Sequence, residues 1–341
     1  MSKSIELRFK PYNIKHYHTF TISSFSRTET PSVQTEIEYD GYTGYGEASL
    51  PPYLGETQKN VLTFLSKIDF TKFNDPLEIE SILKYVDSID EGNNAAKASV
   101  DIALHDLTGK ILNKPLYQYF NLKKPVNSYT SFSIGIDSNE EVNKKLEEAK
   151  DFRYLKVKLG SIRDKEIIEF IRSKTNCPIY VDVNQGWKDK SEALKMIRWL
   201  TEKNVLLIEQ PMPKEMIDDI AWLSDNSPLP LIADESVRRL NDIEKVKNIY
   251  SGINIKLMKS TGLNEAFKMI KKAKVLGLKI MIGCMVETSC AVAAATHLSS
   301  KADWIDLDGP LLIKNDNFSG LSYKKGKIEI NDLPGLGVLK I

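Results

Sequence analysis

From residue 128 onward, short apolar runs recur along the chain: YTSFSIGI, YLKVKLG, PIYVDVN, VLLIEQP, LPLIADES, INIKLMK, KIMIGCM and WIDLD. Between most of them lie amphipathic stretches such as SEALKMIRWLTEKN and NEAFKMIKKAKVLG, whose apolar positions recur at helical spacing. Lys158, Asp182, Glu209, Asp234, Lys256, Gly283 and Asp306 stand near the ends of seven successive runs, 22 to 27 residues apart. That repeat predicts strands alternating with helices in a parallel array. Eight such strands predict a (β/α)8-like barrel rather than an open sheet.

The pattern before residue 128 is different. QTEIEYDGYTGYGEA reads as a hairpin, with Ile37 and Tyr39 alternating with polar neighbours and Asp40-Gly41 at the turn. Residues 57 to 120 read as helical, above all NNAAKASVDIALHDLTGKIL, where Ala98, Ile102 and Leu107 recur near helical spacing and Asn93 or Asn94 supplies a cap. The expected organisation is an α+β domain over residues 1–124, a barrel over 125–314, and a final segment, 315–341, that returns to the first domain.

Composition narrows the function classes. Lysine plus arginine total 47 against 46 aspartate plus glutamate, so no basic excess points to nucleic acid or an anionic membrane. Three cysteines, with no zinc spacing and no CxxC pair, point to reduced thiols in a cytoplasm. The opening MSKSIELRFKPYN has no apolar core of a secretory signal, and no run approaches the ~18 apolar residues of a membrane span. The expected partner is a small molecule, with a homo-oligomer left open.

Three consecutive runs end in a carboxylate: Asp182, Glu209 and Asp234. An acid at one strand end commonly caps the next helix, but three in succession converge at the C-terminal mouth of a barrel, where active sites lie. Unpaired, they would repel one another and raise each other's pKa. A divalent cation removes that repulsion, and an all-oxygen set without cysteine or histidine favours Mg2+. Lys156 and Lys158, two apart on one strand face, come from the run before the acids, and Lys256 from the run after them. An ordinary lysine, pKa about 10.4, is neutral about once in 2,500 molecules at pH 7. Mg2+, a second ammonium and desolvation all lower that pKa, and at about 8 roughly one molecule in ten is a free base. A base on each side of one metal-bound substrate can take a proton from one face and return it to the other, the logic of a racemase or epimerase acting beside a carboxylate, with the metal stabilising the enediolate.

Together these residues resemble the enolase superfamily in its muconate-lactonizing subgroup, over nearly the whole chain. The resemblance rests on Lys156-Val-Lys158, Asp182-Val-Asn184, Glu209-Gln-Pro, Asp234-Glu-Ser and Lys256 in INIKLMK, with GYGEA at 44–48 and AKASVDIALHDLTGK at 96–110. It implies a (β/α)7β modified TIM barrel under an N-terminal α+β capping domain, with Mg2+ on Asp182, Glu209 and Asp234. Lys158 and Lys256 would be opposed bases, and Lys156 would polarise the substrate carboxylate. The seventh strand, KIMIGCM, lacks the histidine of mandelate-type relatives, and His297 in AVAAATHLSS reads as structural.

The last run, WIDLDGP, puts Asp306 and Asp308 on one face at the mouth. In the family's dipeptide epimerases an Asp-x-Asp here holds the substrate's α-ammonium, and two carboxylates suit one ammonium. Arg27, in the loop expected to close over the mouth, resembles the arginine that pairs with a glutamate side chain of the substrate. Ser133 and Cys284 are expected to line the pocket from the first and seventh strands. The implied activity is Mg2+-dependent epimerisation of a dipeptide of the L-Ala-D/L-Glu type. The rivals are a cycloisomerase, an o-succinylbenzoate synthase or an N-acylamino acid racemase, a catalytically silent relative, and more distantly a Schiff-base aldolase. Two departures stand out: Ser260-Thr261 where many relatives have a small residue and glycine, expected to alter the mouth, and YQYFN at 117–121 without the usual glycine.

Overall fold

The computed structural model describes residues 4–341. Three antiparallel strands open the chain: β1 (Glu6–Thr21), β2 (Ser26–Tyr39) and β3 (Tyr42–Ser49). The β2–β3 turn falls at Asp40-Gly41, both at positive φ (51° and 80°), the geometry of a two-residue hairpin turn. Helices α1 (Gln58–Leu65), α2 (Ile79–Ile89) and α3 (Asn94–Ile111) follow. GYGEA has a packing reason. A Cβ at Gly44 would lie 2.0 Å from the Ala103 carbonyl oxygen, and one at Gly46 would lie 1.9 Å from that of Ser99. Only glycine lets the α3 backbone sit this close to β3.

Asn93 does precede α3, but in the left-handed region (φ 50°) and without a side-chain capping bond. Glu56 caps instead, accepting from the Ala95 amide at 3.1 Å. A carboxylate there also meets the positive end of the helix dipole.

Eight parallel strands form the second layer in sequential order: β4 (Phe132–Ile134), β5 (Leu155–Lys158), β6 (Ile179–Asp182), β7 (Val205–Glu209), β8 (Leu231–Ala233), β9 (Gly252–Lys256), β10 (Lys279–Gly283) and β11 (Trp304–Asp306). Seven helices connect them, so the barrel is (β/α)7β. The seam between first and last strands is closed largely by side chains. Ser131 N donates to the Ile305 carbonyl (3.2 Å), Ser131 Oγ to Asp306 Oδ1 (2.8 Å), and Leu307 N to Thr130 Oγ1 (2.8 Å).

The motif AKASVDIALHDLTGK joins the layers. Asp101 on α3 accepts from the amides of Leu263 (2.5 Å) and Asn264 (3.1 Å), capping the barrel helix Leu263–Val275. Asp106 accepts from Tyr45 N (2.9 Å), Lys110 Nζ (2.7 Å) and Leu336 N (2.9 Å), which ties β3, α3 and the C-terminal segment together. His297 is fully buried; its Nδ1 accepts from Tyr117 N at 3.1 Å and its Nε2 donates to the Leu336 carbonyl at 3.0 Å.

Burial holds the His297 imidazole down at about 4. Between pH 6.5 and 4 the unfolded chain therefore binds a proton that the folded chain does not, and stability falls as the pH drops through that window. The expected loss from this group is about 2 kcal/mol at pH 5. Thermal unfolding at pH 7 and pH 5 checks it: His297→Gln, which cannot titrate, should show a smaller drop than the wild type.

Candidate active site

Strand register sets the site. Lys158 pairs with Asp182, Asp182 with Glu209, and Gly283 with both Lys256 and Asp306, so these strand ends share one level of the barrel. Side chains alternate along each strand, so Lys156 and Lys158 both point inward, as their spacing predicted. Asp182, Glu209 and Asp234 are buried, and each offers a carboxylate oxygen within 4.8 Å of the others.

The acids are not left unpaired. Lys156 Nζ lies 2.6 Å from Asp306 Oδ2, 2.7 Å from Glu209 Oε2 and 3.0 Å from Asp182 Oδ2. Lys158 Nζ donates to Asp182 Oδ2 at 2.6 Å and Lys256 Nζ to Asp234 Oδ2 at 2.8 Å. Lys259 bonds both the carboxylate and the carbonyl of Asp234, and the Asn254 carbonyl at 3.0 Å. Glu209 Oε1 accepts from Asn254 Nδ2 at 2.7 Å. Glu209 Oε2 has the Lys156 ammonium as its ionic partner.

The charge balance follows. Burial pushes the Asp182 carboxyl up, but the ammonium groups of Lys158 and Lys156 outweigh it and bring it to about 2. Burial and the charge of Asp182 lift Glu209 to about 7. Burial works to lower Lys256, yet Asp234 beside it wins and holds it well above the usual lysine range. At Lys256, and at Lys156 beside Asp306 and Glu209, the lowered pKa expected from the sequence is therefore not produced by the protein's own groups, because each of these two ammoniums faces a carboxylate before any other cation.

A single cavity of about 50 Å3 is lined by Arg27, Ser133, Lys156, Lys158, Lys256, Cys284, Asp306 and Asp308, along with Phe20, Tyr53 and Asn184. Asp306 is engaged by Lys156 and Ser131. Asp308 Oδ2 accepts from Ser133 N at 2.6 Å, and burial with the charge of Asp306 lifts its carboxyl to about 7. The Arg27 guanidinium sits 5.1 Å over the Phe25 ring, and its Nε and Nη1 are buried without a hydrogen-bond partner among the described residues. Cys284 is buried, which pushes its thiol well above the ordinary value, so it packs rather than reacts.

Sequence reasoning gave no role to Lys259, Asn254, Asn184 or Tyr53. Lys259 stood inside the quoted INIKLMK, but it follows the strand end and reaches Asp234 only through a turn. Tyr53 arrives from the loop after β3, its hydroxyl donating to Met285 Sδ at 2.8 Å. The departures lie elsewhere than expected. Neither Ser260 nor Thr261 lines the cavity. Ser260 Oγ donates to the Gly262 carbonyl (3.1 Å), while Thr261 and Asn121 take the positive φ (58° and 53°) that a glycine would take.

Fold and site define an enzyme barrel of the enolase superfamily, closed by an N-terminal cap. The chain belongs to the mandelate racemase/muconate lactonizing enzyme family: the model of that family's N-terminal domain matches residues 5–120, and the enolase C-terminal domain-like model matches residues 138–339. The L-Ala-D/L-Glu epimerase of Bacteroides thetaiotaomicron is 55% identical over 338 residues, covering 99% of this chain and 88% of that protein. A substrate-liganded complex of the L-Ala-D/L-Glu epimerase from Bacillus subtilis superposes with a TM-score of 0.92 at 28% identity, covering 99% of both chains. The dipeptide epimerase from Cytophaga hutchinsonii, complexed with Mg and the dipeptide D-Ala-L-Val, gives 0.93 at 26% identity, covering 100% of this chain and 96% of that one. Among the described residues no helix is long and apolar enough to cross a membrane.

Proposed function

We propose that this chain is a Mg2+-dependent dipeptide epimerase whose substrate is L-Ala-D/L-Glu, acting by 1,1-proton transfer at the α-carbon of the C-terminal residue. The observation that carries it is the single cavity in which two lysines from β5 and β9, a carboxylate pair and an unpaired guanidinium meet. In this reading residues 1–124 and 315–341 form the cap and residues 125–314 the catalytic barrel.

Asp182, Glu209 and Asp234 would hold the metal. The fit rests on the three buried carboxylates, each of which offers an oxygen within 4.8 Å of the others. Bound there, Mg2+ supplies positive charge to a substrate carboxylate as its α-proton leaves. Lys156 adds its ammonium to the same carboxylate. Lys158 and Lys256 stand on β5 and β9, with β6, β7 and β8 between them, so each can serve one face of the α-carbon. Asp308, with Asp306 behind it, receives the substrate's α-ammonium; an N-succinylamino acid or muconate has no ammonium there, and the pair would repel its carboxylate instead.

Arg27 selects the side chain of the second residue. Its buried, unpartnered Nε and Nη1 are costly without an anion, and a glutamate carboxylate supplies one. Incubation of L-Ala-L-Glu with Mg2+ in D2O should show deuterium at the glutamate α-carbon. Arg27→Ala should cut kcat/KM on Ala-Glu by about 10–100-fold and change Ala-Leu little. Absence of exchange in a dipeptide panel would refute the epimerase reading; a variant that keeps its acidic preference would refute the role of Arg27 alone.

A further inference from the structure

The barrel has a second mouth at the N-terminal ends of its strands. Tyr154, Tyr180 and Trp304 precede Lys156, Asp182 and Asp306 by two residues, so they occupy the same inward faces about 6–7 Å lower. The lowest interior ring is therefore aromatic at this side: Tyr180 packs with Leu207, Ile232 and Met281, and Tyr154 and Trp304 close against them. Tyr154 and Tyr180 are stacked, with ring centroids 5.1 Å apart and planes 19° apart. These rings line a cleft of about 450 Å3, with Lys123, Tyr129 and Lys301 also on its wall. That volume lies within the range of small-molecule sites.

Two further features point to a ligand. Tyr180 is only 2% exposed, yet among the described residues no group hydrogen-bonds its hydroxyl or that of Tyr154. Burial pushes the Tyr180 phenol up, so it stays a neutral donor. The Tyr180 hydroxyl oxygen is not sealed in the interior but opens on the cleft, where an acceptor atom of a ligand can reach it. The charge around the cleft is also one-sided. Lys123 and Lys301 are exposed and, among the described residues, have no acid partner. The one acid on the wall, Asp303, is engaged by Lys279 Nζ and by Ile280 N, both at 2.9 Å. The Arg153 guanidinium adds positive charge 3.5 Å above the Tyr129 ring.

We propose that this cleft binds a small planar aromatic molecule carrying an anionic group. Its ring lies against the tyrosine–tryptophan wall, an acceptor atom meets the Tyr180 hydroxyl, and its charge faces Lys123 and Lys301. Nothing in this site depends on the epimerase reading.

Phenyl phosphate is the probe, titrated into the full chain and followed by the fluorescence of Trp304, with Trp304→Phe subtracting the other tryptophans. A saturable change is expected. The double variant Lys123→Ala/Lys301→Ala, at exposed positions that leave the fold intact, should weaken binding at least tenfold, and Tyr180→Phe at least threefold. Inorganic phosphate and phenol should each bind at least tenfold more weakly than the probe. Lys158→Met should bind it as the wild type does. No saturable response, a response that survives loss of both lysines, or inorganic phosphate matching phenyl phosphate would overturn the proposal. Loss of the response in Lys158→Met would place the probe in the catalytic cavity and overturn it equally.

Discussion

Methionine in place of Lys158, or of Lys256, is expected to end epimerisation and to leave a folded protein that still exchanges the α-proton of one stereoisomer. The fold survives because neither partner acid loses its only cation. Asp182 keeps Lys156 at 3.0 Å, and Asp234 keeps Lys259. The reaction does not survive, because inversion needs one group to take the proton and another to deliver it from the opposite face. Removing a positioned acid or base costs about 10²–10⁴-fold, so epimerisation should fall by roughly 10³-fold or more in each variant. The informative part is the asymmetry. With one lysine gone, the other can still remove a proton from the isomer that presents it and return deuterium to the same face. Lys158→Met and Lys256→Met should therefore spare opposite isomers of Ala-Glu. Proton NMR of the glutamate α-position in D2O, run on L-Ala-L-Glu and L-Ala-D-Glu, reads this directly. Two variants sparing the same isomer, or either one still inverting at near the wild-type rate, would end the two-base assignment.

Much of this site was legible in the sequence because its logic is local. A strand ends, its last inward residue reaches the mouth, and the next strand ends about 25 residues later in register. That is enough to line up Lys158, Asp182, Glu209, Lys256 and Asp306, and the register pairs them as expected. The residues that escaped are those whose position depends on a turn or on the other layer. Lys259 comes back to Asp234 through the turn after β9, and Tyr53 descends from the loop after β3. Glu56 caps α3 from across a loop, a job that local pattern gave to Asn93 or Asn94. Alternation would also have found the aromatic floor, since Tyr154, Tyr180 and Trp304 stand two residues before residues already singled out. The state of the lysines was harder. Their pKa depends on which charges end up nearest, and Asp234 at 2.8 Å from Lys256 reverses the direction that burial alone would give.

Glu209→Gln should separate the metal's contribution from that of the protein. The amide keeps the shape of the side chain and can still accept from Asn254 Nδ2, now 2.7 Å from Oε1. It removes one of three buried negative charges, and one that its surroundings oppose: Glu209 is lifted to about 7 by burial and by Asp182. Without Mg2+ the variant should therefore unfold at the same temperature as the wild type or higher, since mutual repulsion of the acids is relieved. With Mg2+ the order should reverse. A ligand that binds only the folded state stabilises it by RT ln(1 + [L]/Kd), about 2.7 kcal/mol at one hundred times Kd. The wild type should gain that as Mg2+ is raised, while Glu209→Gln, holding the ion with two charges rather than three, should gain little over the same range. Deuterium exchange into Ala-Glu should fall about 10³-fold in the variant, and in the wild type on chelation, with recovery when Mg2+ is restored. The thermal readout does not rely on turnover, so it tests the carboxylate site even if the substrate is another dipeptide. An equal Mg2+-dependent rise in the two proteins would remove Glu209 from the metal set, and with it the reason for three buried acids to share one barrel mouth.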